Sequence, residues 1–193
     1  MLAKLSDLFF SAFPGQFLQV LPFVLAAGGI YWYRRYRTDK TTPPVKQLWS
    51  VLFVCYLTGL VCTVFFYSSI RYFWGFLFRH NKLSNVIEVL FCRRTANFIP
   101  DFYRHMDREK WLNVALSLPF GFLFPLAGKA ETWKKTVGAG LLGVLLIETL
   151  QPVFARSFDV NDLILNSLGV LFSASVFFLG RGAVNRLCRP KPE

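Results

Sequence analysis

The chain has 193 residues, of which 54% are hydrophobic and 18% aromatic but only 17% charged, and its mean hydropathy is +0.41. Soluble domains carry nearer a quarter charged residues, so the composition argues against one and suits an all-α polytopic membrane helix bundle of about five transmembrane helices. The net charge of +11 lies in basic clusters between apolar runs, as topology signals do, which argues against a nucleic-acid partner.

After a short lead, the first apolar run is Pro14 to Tyr33, closing on Tyr31-Trp32-Tyr33-Arg34-Arg35-Tyr36-Arg37. A cleaved signal carries its positive charge before the apolar core; here the basic cluster follows it, so a retained span with an interfacial aromatic belt is expected. Arg34 to Lys46 is a basic linker in which Pro43-Pro44 should stop a helix. A second span is expected from Gln47 to Tyr67, with the aromatic stretch to Phe78 near the interface because of Arg71.

Residues 79–110 form the longest polar region, where Leu83, Ile87 and Leu90 recur at helical spacing and predict an interfacial amphipathic helix. The third span, Trp111 to Leu126, contains Asn113, Pro119, Gly121 and Pro125, and Gly128 to Lys135 is a basic turn. The fourth span, Thr136 to Gln151, offers Gly138, Gly140 and Gly143 as a small-residue packing face. The fifth runs from Val160 to Leu179. The expected division is an additional first span and linker (1–46), a core (47–180) and a basic tail (181–193).

Lys and Arg number 5 in the linker, 3 in the 128–135 turn and 4 in the tail, which five spans place on one side; the other side holds 10, of which 8 fall in one long loop. The positive-inside rule then predicts an outside N-terminus and a cytoplasmic C-terminus.

The polar chemistry nearest hydrocarbon lies between residues 147 and 166. Glu148 sits about one turn inside a lipid-compatible run, where a carboxylate is costly and marks a function or a specific partner. Asp159, Asp162, Asn166 and Gly169 share one helical stripe, Glu148 and Gln151 share a face, and Asn113 with Ser117 opens the third span from the same side. These ends could converge near the outer interface. Structural readings stand beside this one: Asp159 as an N-cap, Asp162 in a first turn, Asn166 in an interhelical hydrogen bond, Arg156 as an interfacial anchor or as the ion-pair partner of Glu148. Cys55, Cys62, Cys92 and Cys188 lack a CxxC spacing, His80 and His105 are lone, and neither GxSxG nor HExxH occurs, so no metal or cofactor is expected.

Asn97-Phe98-Ile99-Pro100, Asn113 with Leu118-Pro119-Phe120-Gly121, Ile147-Glu148-Thr149-Leu150-Gln151, and Arg156-Ser157-Phe158-Asp159-Val160-Asn161-Asp162 with Asn166-Ser167-Leu168-Gly169 resemble, in order and spacing, the VanZ-like membrane proteins over roughly residues 90–180. That bacterial family takes its name from a protein that raises resistance to the glycopeptide teicoplanin. The resemblance implies a cell-envelope membrane protein, with Asn97, Pro100, Pro119, Gly121 and Gly169 as family-motif positions. Two functional classes follow. One binds or shields an amphiphile, such as membrane lipid, a lipoglycopeptide or a lipid-linked wall precursor. The other is an intramembrane enzyme acting on a lipid headgroup, with Glu148 as general acid or base and Asp159 and Asp162 binding a cation or orienting substrate. A proton-coupled carrier ranks third.

Overall fold

A computed structural model describes residues 9–10, 15–79, 96–104, 106–128, 130, 132–154 and 156–188. The protein is all-α: α1 (Gly15–Thr38), α2 (Pro44–Val64), α3 (Tyr67–Arg79), α4 (Arg108–Leu126), α5 (Trp133–Leu150) and α6 (Val160–Leu187). A 3-10 turn covers Gln151–Phe154, and two-residue strands, β1 (Ala96–Asn97) and β2 (Phe158–Asp159), pair with each other. The expected amphipathic helix around residues 83–90, with Cys92, His80 and His105, lies outside the described residues.

Three stretches are long and apolar enough to cross a membrane: Pro44–Val64, Trp133–Phe154 and Val160–Leu187. They correspond to the second, fourth and fifth expected spans. The third, Lys110–Leu126, is apolar but shorter. The first is a helix of 24 residues whose glutamines, glycines and aromatic, basic end keep it out of that set. Large apolar side chains such as Leu142, Leu146, Phe172 and Leu179 are exposed along α5 and α6, where lipid rather than water is the compatible solvent.

The chain divides into two compact units. The first comprises residues 1–97 and 147–158. In it α1 and α2 run antiparallel: Gly28 lies against Cys55 Sγ and Val51, Gly59 against Val24, and Cys55 Sγ donates to the Val24 carbonyl at 3.7 Å. Cys55 thus behaves as a small packing residue with a weak donor. Pro43-Pro44 ends nothing; Pro43 is the N-cap of α2 and Pro44 opens its first turn, where a missing N–H costs no hydrogen bond. The Asp39 carboxylate shapes the turn before it, accepting from the Thr41 and Thr42 amides (3.2 and 3.1 Å) and hydroxyls (2.9 and 2.7 Å) and pairing with Arg35 at 2.7 Å. α2 ends at Val64, with Phe65 as its C-cap, and the aromatic stretch to Phe78 forms the separate helix α3.

The second unit comprises residues 98–146 and 159–193. α4 and α6 are parallel, because Val114 and Ser117 meet Gly169 while Gly121 meets Ser173 and Ala174, so both contacts advance together along the two helices. A Cβ on Gly169 would collide with Ser117 Oγ and come within 2.9 Å of the Val114 carbonyl; one on Gly121 would lie 2.7 Å from the Ser173 carbonyl carbon. These glycines let two backbones approach at a distance no side chain allows. α5 runs back between them in sequence: Trp133 Nε1 donates to Ser175 Oγ at 3.1 Å, and Gly140 fits against Val170 and Phe120. Of the expected α5 glycine face only Gly140 is packed; Gly138 and Gly143 have nothing within 4 Å of where a Cβ would stand. Gly128, at φ 72°, turns the chain out of α4, and its N–H reaches the Pro125 carbonyl at 3.0 Å. α6 continues past Leu179 to Leu187, so Arg181 and Arg186 are helical.

The glycines separate two outcomes. Gly169→Ala should lower stability by about 1–3 kcal/mol, as overpacking does, and Ser117→Gly should restore part of it. Gly138→Ala should be neutral or slightly stabilising, since it meets open space and improves helix propensity. Thermal unfolding of the purified protein in detergent reads both; equal effects at the two positions would refute the packing assigned to Gly169.

Candidate functional site

Two polar loci hold the residues singled out by sequence, one in each unit.

The first locus is the end of α5 and the turn after it. Glu148 is fully buried and Gln151 is 4% exposed. With its amide turned so that nitrogen meets acceptors, Gln151 donates to Glu148 Oε2 and to the Ser157 carbonyl, each at 3.0 Å; in the other orientation Nε2 reaches Glu148 Oε1 at 3.4 Å. Either way the shared face expected of Glu148 and Gln151 is a hydrogen bond. Ring contacts of Phe154 with Phe65 (4.8 Å) and Phe66 (5.3 Å) dock this turn on the α2–α3 junction.

Arg156 is exposed, and among the described residues it makes no ion pair. Its Nη1 donates to the Val64 carbonyl at 3.3 Å, and its backbone N–H to Gln151 O at 3.1 Å. The expected pairing of Arg156 with Glu148 is therefore replaced by a contact with a helix end. The reason is physical: the last carbonyls of a helix lack internal donors, and the last turn of α2 contains no basic residue. Arg156 supplies both the donor and the positive charge from elsewhere in the chain.

α2 also sets a distance. Its 21 residues rise about 30 Å, close to the thickness of a bilayer core. Arg156 stands at its C-terminal end, and the basic linker of Arg34 to Lys46 at its N-terminal end. The two cationic features thus lie one membrane thickness apart along a single helix.

The second locus gathers the N-terminal ends of α4 and α6. Asp159 caps α6 and accepts from the Asn161 N–H at 2.9 Å, and Asp162 stands in the first turn, as the capping reading has it. The centre of the network is Asn161, which sequence reasoning did not single out. It is 1% exposed, and its amide makes four hydrogen bonds. Oδ1 accepts from the Asp101 and Phe102 N–H groups (2.8 and 3.1 Å), while Nδ2 donates to Asp101 Oδ1 and Asp159 Oδ1 (both 2.9 Å). That is the full capacity of a side-chain amide. Asp101 also meets Lys110 Nζ at 3.5 Å, and Asp107 caps α4 through the Lys110 N–H at 2.9 Å. Nothing local in the sequence reports a partner sixty residues away, although a short polar side chain one position past an N-cap aspartate was a usable signal.

Of the remaining candidates, Asn113 on α4 and Asn166 on α6 are partly buried, Asn97 lies in β1, and Pro100 is exposed just before Asp101. Pro119 is partly buried within α4, and Gly121 and Gly169 form the close α4–α6 contacts described above. Among the described residues, no three His, Cys, Asp or Glu side chains gather as a metal site requires.

A profile of the VanZ/LLP1 family matches residues 53–181, more than half of the chain. The chain belongs to the VanZ/LLP1 family. It is a VanZ-like membrane protein, and the match embraces both loci and all three membrane-length stretches in whole or in large part. Comparisons with curated proteins and with solved structures give no significant match.

The Asn161 network makes a sharp stability prediction. Asn161→Leu leaves two backbone donors and two carboxylates without their partner and should cost about 2–5 kcal/mol, from several lost bonds and unsatisfied groups. Asn161→Asp keeps the acceptor but sets a third carboxylate against Asp101 and Asp159. That variant should regain stability as pH falls and the introduced carboxyl protonates, opposite to a protein losing native ion pairs to acid. Detergent-phase unfolding across pH 4–8 measures it; a pH-independent Asn161→Asp defect would refute the network.

Proposed function

We propose that the protein is a multi-pass, non-enzymatic membrane protein of the bacterial cell envelope that binds or shields an amphiphile at the outer face. The observation that carries this reading is Arg156, an exposed cation preceded by exposed Leu150 (45%) at the end of α5 and by Val153 (63%) and Phe154 (37%) in the turn. A cation beside lipid-compatible side chains suits a ligand with an anionic head and an apolar tail. Glu148 and Gln151, buried beneath, hold the turn in place from inside. Asn113, Asp159, Asp162 and Asn166 remain secondary candidates, because Asp159 is occupied in capping α6.

The linker at the other end of α2 carries the denser positive charge, so the positive-inside rule assigns it to the cytoplasm and Arg156 to the exterior. The N-terminus then lies outside and the C-terminus inside. Lipoglycopeptides of the teicoplanin type and lipid-linked wall precursors both have the required build, and the family's name supports the first. A contribution to glycopeptide tolerance follows from sequestering either.

The exposed Cys188 tests orientation: an impermeant thiol reagent should label it only after cells are permeabilised, and labelling of intact spheroplasts would reverse the assignment. For the site, Arg156→Gln should reduce ligand retention and teicoplanin tolerance severalfold at normal membrane abundance. Purified protein should leave lipid-linked wall precursors unchanged by mass spectrometry. A product formed by the wild type and not by Glu148→Gln would establish the intramembrane enzyme instead.

A further inference from the structure

The turn between α1 and α2 has a charge arrangement that the Arg156 reading does not use. Residues 34–46 contain five cations and a single acid, Asp39. Asp39 is spent internally: Thr42 and Thr41 donate to it from side chain and backbone, and Arg35 pairs with it at 2.7 Å. Hydrogen bonds from the Thr42 and Thr41 side chains hold its carboxyl far below the usual carboxylate range, so its charge is fixed at physiological pH. Arg35 is further tied to Thr42 Oγ1 at 3.3 Å. Four cations remain, Arg34, Arg37, Lys40 and Lys46. All are exposed, and among the described residues none makes an ion pair.

Aromatic rings accompany them at the end of α1. Trp32 and Tyr36 stack at 5.7 Å with an interplanar angle of 24°, and the Arg37 guanidinium lies 5.1 Å over the Tyr33 ring. Trp32, Tyr33 and Tyr36 are each more than half exposed, at 52%, 51% and 62%. Amphipathic rings of this kind settle at the headgroup level of a bilayer. Rings at that depth place the four cations, none of them in an ion pair among the described residues, among headgroups rather than in bulk solvent. A soluble acidic partner would use the cations but leave three large rings exposed.

We infer that this turn is a docking surface for the headgroups of anionic phospholipid. The acid that would offset the cations is folded into the turn, and the rings beside them set the depth. Asp39 thereby serves the surface twice, by ordering the turn and by leaving four charges for lipid.

The test uses the full chain in nanodiscs of phosphatidylcholine with a minor fraction of phosphatidylglycerol, where both leaflets are present and reversed insertion cannot mimic the effect. Spin-labelled phosphatidylglycerol should be motionally restricted by the wild type in preference to spin-labelled phosphatidylcholine. The preference should collapse in 0.5 M salt (roughly a 4 Å screening length). Each cation replaced by Gln should reduce it roughly fivefold at low salt. The quadruple variant Arg34→Gln/Arg37→Gln/Lys40→Gln/Lys46→Gln should lose most of it, while Lys134→Gln/Lys135→Gln, in the first turn of α5, should keep it. A wild type without lipid preference overturns the inference with no variant needed. So does a preference that survives the quadruple change or is lost equally in the control. Binding of a soluble polyglutamate peptide without a phosphatidylglycerol preference would assign the surface to an acidic protein and overturn it as well.

Discussion

The side-chain amide of Asn161 is the tie on which the second unit depends. A buried amide is a liability unless all its donors and acceptors are met, and here each is met by a group that itself needed a partner. Two backbone N–H groups of the 101–102 turn, the carboxylate of Asp101 and the carboxylate that caps α6 are satisfied at one point. The segment entering α4 is thereby fixed to the start of α6, and the two helices leave that point in parallel. Their glycine contacts at 169 and 121 can then form at matching depths. The polar tie fixes register and the small residues fix distance. Neither would place the helices alone.

In the first unit the same kind of end-group chemistry acts between helices. The C-terminus of α2 leaves a carbonyl without a donor, and Arg156 fills it from the turn after α5. The Phe154 ring packs beside it on Phe65 and Phe66. One arginine therefore completes a helix and anchors a turn while the rest of its side chain stays exposed. Glu148 contributes differently: it is withdrawn from solvent and held to Gln151, which suits it to shaping the turn from inside.

The apolar runs were legible because uninterrupted hydrophobicity over a bilayer-length stretch has few other physical solutions. Ends were less so. Pro43-Pro44 reads as a stop, but proline is as good an opening as an ending, and only the chain after it decides. Asp107 draws the start of α4 back to Arg108, ahead of the apolar boundary at Trp111. The capping role of Asp159 was visible because a cap is local. The hub at Asn161 was not, since its partners come from a turn distant in sequence. Nor could spacing tell which glycines are packed: Gly138, Gly140 and Gly143 look alike along α5, and only the neighbours of Gly140 close upon it. Glu148 and Arg156 stand in one short stretch of sequence, yet proximity did not name the acceptor that Arg156 would choose.

The parallel pair α4 and α6 is unequal in length. α4 has 19 residues and α6 has 28, about 28 and 42 Å of rise, and their starts are held level through Asn161. The whole surplus therefore appears at the far end of α6, beyond Leu126 and its turn, where Arg181 and Arg186 stand. In a thicker bilayer this overhang can be drawn inward, up to the point where Arg181 meets the headgroups, without disturbing the glycine contacts. In a thinner one it simply extends further into water. The second unit thus has a fixed datum at the Asn161 end and a sliding margin at the other, which would let hydrophobic mismatch be absorbed away from the Asn161 tie.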